Sequence, residues 1–367
     1  MNRKTLTAIG ISAMAFALAP VPPISVQAKA AEAPAKLRWG TGILRQSDGF
    51  YGSPQGLQVA DAVLRYQSAE GGWPKNLDLT VDPGTPENLA KLVEGKANTI
   101  DNGGTTMPIR YLARVNAAHA DPRYRAAVER GLDYLFAAQY PNGGWPQFFP
   151  LLKGYYSNVT FNDDAMVHVL ELLLDVAHGQ KEFAFVDTKR RTAAAVAVRK
   201  GLDVILRTQL KVDGKLAGWC AQYDPQTLNP AWARKYEPPS ISGGETVGIV
   251  RFLMKFDATP EIAAAIDGAV QWLDKAAVQN VRVEDFTNAD GQPDRRVIAD
   301  KGAPRIWARF YELETSRPIF LGRDSAFHYT FGEIERERRT GYGYYGNWAE
   351  KLIAQDYPAW KARKRKR

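Results

Sequence analysis

"LFAAQYPNGGWPQF" (Leu135–Phe148) has a close copy in "VLRYQSAEGGWPKN" from Val63 and a looser one in "ILRTQLKVDGKLAGW" from Ile205. Their tryptophans, Trp73, Trp145 and Trp219, recur about every 70 residues, and self-similarity at a fixed period marks a repeat architecture. The segments leading into them also match: "GLDYLFAAQ" from Gly131, "GLDVILRTQ" from Gly201 and, as a fourth, "GAVQWLDKA" from Gly268.

A second register follows each tryptophan loop. "TIDNGGTTMPIRYL" from Thr99, "TFNDDAMVHVLEL" from Thr160 and "SISGGETVGIVRFL" from Ser240 each pass from a short polar cluster into an apolar helix. The helices after these clusters are apolar on nearly every face, as around 165–177, and must be surrounded by protein. Those before the tryptophans, such as 122–139, carry one apolar stripe (Tyr124, Ala127, Val128, Gly131, Leu132, Leu135) and a charged remainder. The expected fold class is therefore all-α: a toroid of alternating inner and outer helices, with three helix-pair repeats and a degenerate fourth.

The connections divide in the same way. Those from inner to outer helix are short, near Asp121, Gly179 to Asp187 and Ala258 to Pro260. Those from outer to inner helix are long, spanning 69–98, 140–160, 211–242 and 279–344. In an antiparallel stack all the long loops emerge at one end, where a rigid scaffold usually carries binding and chemistry. Few strands are expected, chiefly a hairpin of "NVRVEDF" and "RRVIAD" around the turn "NADGQPD"; read as a calcium loop, that turn would place Phe286 and Val297 at ligand positions.

The 367 residues, 45% hydrophobic and 24% charged, belong to a globular chain. Residues 1–30 read as an export signal, with a basic start, an apolar run and small residues before a cleavage point, so the mature chain is expected in the periplasm or medium. One toroidal domain then covers 31–360, with a basic tail over 361–367. The net charge of +8 sits mostly at the two ends: without the leader's three basic residues and the tail's six, 39 basic residues face 40 acidic ones. Neither a nucleic-acid partner nor, after cleavage, a membrane is expected; a monomer is. Cys220 is the only cysteine, so no intrachain disulfide forms.

The repeat should bring Asp101 and Asn102, Asn162 to Asp164, and Ser242 around one mouth. Helix caps use the same residue types, so each cluster has a structural reading as well as a functional one. Carboxylate and amide oxygens with no thiol or imidazole beside them suit a hard cation, Ca²⁺ before Mg²⁺. Arg234 in the third long loop, and Arg305, Arg309, Arg317 and Arg323 in the fourth, suit bidentate binding of carboxylates. Trp73, Trp145 and Trp219 either stack on sugar faces or plug the ends of the helix stack. Zinc spacing, a nucleophile elbow, a Walker loop and a dinucleotide fingerprint are absent from the sequence.

"GGWPKN", "TIDNGGTT", "GGWPQFFP", "TFNDDAM", "WCAQYDP", "ARKYEPPSISGGE", "WARFYELET", "PIFLGRD" and "GYGYYGNWA", in this order over roughly residues 40–355, resemble the pectate lyases of polysaccharide lyase family 10. The resemblance implies an incomplete (α/α) toroid that cleaves polygalacturonate by Ca²⁺-assisted anti β-elimination, leaving unsaturated oligogalacturonides. It implies that Asp101, Asp163 and Asp164 surround calcium, that Arg234 is the base, and that Arg309 and Arg323 bind uronate carboxylates. Lys75, Asn102 and Trp145, in the same motifs, are the remaining candidate substrate contacts. Two other readings stand beside it. A toroidal glycoside hydrolase would use two of Asp101, Asp163, Asp164, Glu245 and Glu312, and a non-catalytic carbohydrate-binding protein would use the tryptophans.

Overall fold

The computed structural model describes Met1 and residues 37–364, so the export signal read in residues 1–30 lies, past Met1, outside the described residues. Arg38–Arg367 form one compact unit. The unit is mostly helical. Its α-helices are α1 (Asp48–Tyr51), α2 (Pro54–Arg65), α3 (Pro86–Val93), α4 (Thr106–Ala118), α5 (Pro122–Ala138), α6 (Ala165–His178), α7 (Thr188–Thr208), α8 (Glu245–Leu253), α9 (Pro260–Ala276), α10 (Arg336–Gly341) and α11 (Tyr357–Lys364).

The long helices form two layers. Helices α4, α6 and α8 touch in succession, and α2, α5, α7 and α9 lie against them and against one another. The inner row continues into the π-helical turn Leu352–Asp356, which packs on α8. The apolar α6 buries Ala165, Met166, Val167, Val169, Leu170, Leu172, Leu173 and Val176, as an all-round apolar helix must. Helix α11 carries Lys361, Arg363 and Lys364, so the first part of the basic tail is helical.

Each repeat is fastened by the same three bonds, one from a tryptophan and two from a glutamine. The buried indoles of Trp73, Trp145 and Trp219 donate Nε1–H to the carbonyls of Val63, Leu135 and Ile205, at 2.9, 2.8 and 2.7 Å. Gln67, Gln139 and Gln209, the last residues of the repeated helical motif, each give their amide to two carbonyls. One belongs to their own loop (Gly71, Gly143, Ala217) and one to the next outer helix (Ala127, Ala197, Ala265). The conserved spacing in the sequence is thus the spacing of a clamp between neighbouring outer helices.

The loops at the mouth are laced in series. Ile100 N–H donates to Gln147 O, Phe161 N–H to Ala221 O, and Gly243 N–H to Arg309 O. The expected hairpin is present, Val281–Thr287 against Pro293–Ala299; Asn288 Oδ1 accepts from the backbone of Asp290 and Gln292 and so closes the turn by itself.

Capping separates the two layers. Outer helices α2, α5, α7 and α9 start at Ser53, Asp121, Asp187 and Thr259, whose side chains accept from first-turn N–H groups. Inner helices α4, α6 and α8 have no side-chain cap bond. Their N-termini, where the helix dipole favours negative charge, are left to the mouth.

Candidate active site

Two short 3₁₀ turns precede the first two inner helices, Asp101–Gly103 and Asn162–Asp164, and they pack against each other. They superpose in conformation: Asn102 and Asp163 have φ of 49° and 52°, and Gly103 and Asp164 have φ of 71° and 58°. The left-handed region costs a non-glycine residue free energy, and such strain collects at functional sites. Asp164 accepts it where the sister turn has glycine. The polar cluster is therefore not a helix cap, as its composition alone allowed.

In the first turn, Asp101 is buried and neutralised. Its Oδ2 accepts from Lys75 Nζ at 2.5 Å and Gln147 Nε2 at 2.7 Å, and Asn102 donates to Asn76 Oδ1 at 3.0 Å. Lys75 is thus spent on Asp101 in this arrangement, and Asp101 brings the mouth little net charge.

The second turn carries the surplus. Arg309 Nη2 donates to Asn162 Oδ1, Asp163 Oδ1 and Glu245 Oε1 at 3.2, 3.0 and 3.1 Å. Glu245 also accepts from Asp163 N–H and from the Ser242 hydroxyl. Asp164 Oδ1 is buried with no hydrogen-bond partner. Burial, and then the Glu245 and Asp163 carboxylates, push the Asp164 carboxyl up to about 7. Burial works against the charge on Arg309, but Glu245 and Asp163 outweigh it and hold the guanidinium firmly protonated. Asp163, Asp164, Gly244, Glu245, Arg309 and Trp348 line a cavity of about 140 Å³. On α8, Gly248 faces the Asp164 carboxylate so closely that a Cβ there would collide with it.

Arg234 stands across Tyr342 from this cluster. The Tyr342 ring lies 5.1 Å from the Arg309 guanidinium and 5.8 Å from that of Arg234. Glu237 grips Arg234 in a fork, Nε to Oε2 at 2.8 Å and Nη2 to Oε1 at 2.5 Å, and also accepts from Tyr342. That hydrogen-bonded carboxylate pushes the Arg234 pKa upward. Any lowering of that pKa by neighbouring positive charge is thus opposed by a carboxylate three residues away. Arg234 and Arg323 share the Tyr236 ring, at 5.1 and 5.3 Å. Arg338 is buried beneath the same ring at 3.6 Å. A small core of Phe310, Ile319, Phe320, Leu321, Phe331, Ile334 and Tyr344 holds this loop in place.

The structure therefore joins Asp163, Asp164, Arg309, Arg234 and Arg323 in one face and sets the Asp101 pair beside it. Three expectations need correction. Trp145, read as a substrate contact, is fully buried, as are Trp73 and Trp219; an indole whose N–H is tied to a helix carbonyl plugs the stack. Arg305 pairs with Asp274 and Glu350 as an ordinary ion pair. Glu312, weighed as an acid or base, accepts from Thr315 and Tyr329.

Sequence reasoning missed Glu237, Tyr342, Trp348 and a fourth plug, Trp307, which donates to Leu273 O at 2.7 Å. Trp307 was findable, because two residues after each plug stand Lys75, Gln147, Ala221 and Arg309, and three of these four side chains hold the acids of the mouth.

Comparison with known proteins gives the family. The model of the pectic acid lyase family matches residues 67–353, and the chain belongs to that family. Two solved structures are similar, both of family 10 polysaccharide lyase from Cellvibrio cellulosa. One is 33% identical with a TM-score of 0.74, covering 85% of this chain and 94% of that one. The other is a mutant in complex with trigalacturonic acid, 32% identical with a TM-score of 0.72, covering 85% and 95%. No curated protein matches.

Proposed function

We propose that this lyase cleaves polygalacturonate by Ca²⁺-assisted anti β-elimination, and that its two helix layers form an incomplete (α/α) toroid carrying the site at one end. The observation that carries the reading is the convergence of three arginines, Arg234, Arg309 and Arg323, on the tyrosines beside the unpartnered Asp164 carboxylate. The relative that holds trigalacturonic acid supports the substrate class.

A hard cation fits the second turn, where Asp164 Oδ1 lacks a donor and Asp163 and Glu245 share one arginine. Among the described residues, no three acidic, histidine or cysteine side chains are grouped to hold a metal unaided. Asp163 and Asp164 would hold Ca²⁺ together with the substrate carboxylate, and Asp101, already neutralised, would support their turn. The ion supplies positive charge where the carboxylate takes up electron density.

The residues do the rest. Arg309 makes its three bonds through Nη2, leaving Nε and Nη1 for a uronate, and exposed Arg323, whose Nε and Nη2 are held by Glu337, keeps Nη1 for another. Neutral Arg234 removes the C5 proton, the C5–H electron pair forms the C4–C5 double bond, and the C4–O4 bond breaks with O4 leaving and taking a proton from solvent. Because Glu237 raises the Arg234 pKa, its neutral fraction is small and the rate must climb into alkaline pH. Glu237→Gln removes that hold and should move the climb to lower pH; an unmoved profile would take the base role from Arg234.

Ultraviolet absorbance of the unsaturated product, followed on polygalacturonate with Ca²⁺ and with chelator, tests substrate, reaction and ion together. Arg234→Ala should abolish turnover while oligogalacturonate binding persists. Activity that survives chelation would remove the ion from the mechanism. An export signal over residues 1–30 supports action outside the cytoplasm.

A further inference from the structure

With the repeat tryptophans buried, the mouth still presents aromatic faces, and they come from elsewhere. Trp232 and Phe327 are 44% and 42% exposed, with ring centroids 6.3 Å apart. Trp232 lies two residues before Arg234, and its backbone is pinned where Asn158 Nδ2 donates to its carbonyl at 3.1 Å. Phe327 lies on the strand pairing Leu321 with Phe327, whose turn carries Arg323. The two loops therefore meet twice. They meet at Tyr236, between Arg234 and Arg323, and again where Trp232 meets Phe327.

Two positions on, Tyr329 is 41% exposed and lies under the Arg317 guanidinium at 3.9 Å. Leaving large aromatic faces in water forfeits burial free energy, and a contiguous group of them marks a contact surface. Alternation with arginines selects the ligand. A uronate ring has one apolar C–H face and one carboxylate, and needs an aromatic plane beside a guanidinium.

We propose that Trp232, Phe327 and Tyr329, with Arg317 and Arg323, form a polyuronate-binding track running outward from Arg234, where Trp232 stacks on a sugar ring beyond the cleaved bond. The track rests on the polygalacturonate reading of the site. It is continuous with that site through Tyr236 and the Trp232–Phe327 contact, so its occupant is the substrate's own chain rather than a second ligand.

The test is kinetic and spectroscopic. Trp232→Ala should raise KM for polygalacturonate about tenfold, with kcat within about twofold of wild type. Phe327→Ala should raise it less, and Trp232→Phe should restore most of the affinity. Trp232 is the most exposed indole among the described residues and Trp348 lines the cavity, so oligogalacturonate should perturb wild-type tryptophan fluorescence and the part of that response due to Trp232 should vanish in Trp232→Phe. Wild-type KM and an unchanged fluorescence response in the variants would overturn the track. A folded Trp232→Ala protein, shown by near-ultraviolet circular dichroism, with a lost kcat would do so too, by making the residue part of the catalytic geometry. If wild-type protein fails to cleave polygalacturonate yet its fluorescence still titrates with oligogalacturonate, the lyase reading fails and the track stands.

Discussion

The turns Asp101–Gly103 and Asn162–Asp164 share a backbone and differ in charge. In the first, one carboxylate meets a lysine and an amide and is closed off. In the second, two carboxylates share one guanidinium, and a third, that of Asp164, has an oxygen with no partner. The difference arises from single positions in a repeated frame: glycine at 103 against aspartate at 164, and Gln147 against Ala221 two residues after the plugging tryptophan. Repetition supplied the entrance twice; only one copy was left electrostatically unfinished, and that copy is where we propose that the cation and the uronate bind.

The sharpest way to break this contrast is Asp164→Gly, which copies the first turn into the second. Activity should fall by about 10²–10³-fold, the scale of losing one preorganised electrostatic partner. Retained activity would show that the unfinished charge is not catalytic.

Lys75→Met opens the closed turn instead. It strands the buried Asp101 carboxylate and should cost about 3 kcal/mol, read from the denaturant midpoint. A near-neutral result would mean that Gln147 alone satisfies Asp101.

Asp164→Gly also bears on stability. It relieves a left-handed aspartate and a buried unpaired carboxyl, so chelated protein should gain roughly 1 kcal/mol. The folded-state pKa of Asp164 is raised, so folding favours its protonated form and the native side chain costs stability as pH rises from about 4 through about 7. The variant's gain should therefore be larger at pH 8 than at pH 4, as thermal melts at the two values would show. Asn102→Gly should give the smallest change, a gain of a few tenths of a kcal/mol, because asparagine already tolerates this conformation.

Much of the fold was legible because repetition exposes itself in sequence: helix layers, short and long connections and the hairpin all follow from period and polarity. What the repeat could not reveal was the direction of a side chain. Trp145 and Trp232 are chemically alike, yet one is fixed by a helix carbonyl and the other lies in the open. The candidate site was legible as residue types at the mouth, but its partners were not. Tyr342 reaches Glu237 from a loop about a hundred residues away, which no local pattern encodes, whereas the Arg234–Glu237 pair, three residues apart, could have been read from the sequence.

Gly248 has no side chain and carries no charge, yet it decides whether Asp164 can stay where it is. Any replacement at 248 must evict a carboxylate from the floor of the mouth. The helix would tolerate alanine there in isolation, and better than glycine. The shortest mutational path from a working enzyme to an inert but well-folded helical shell is therefore one methyl group long.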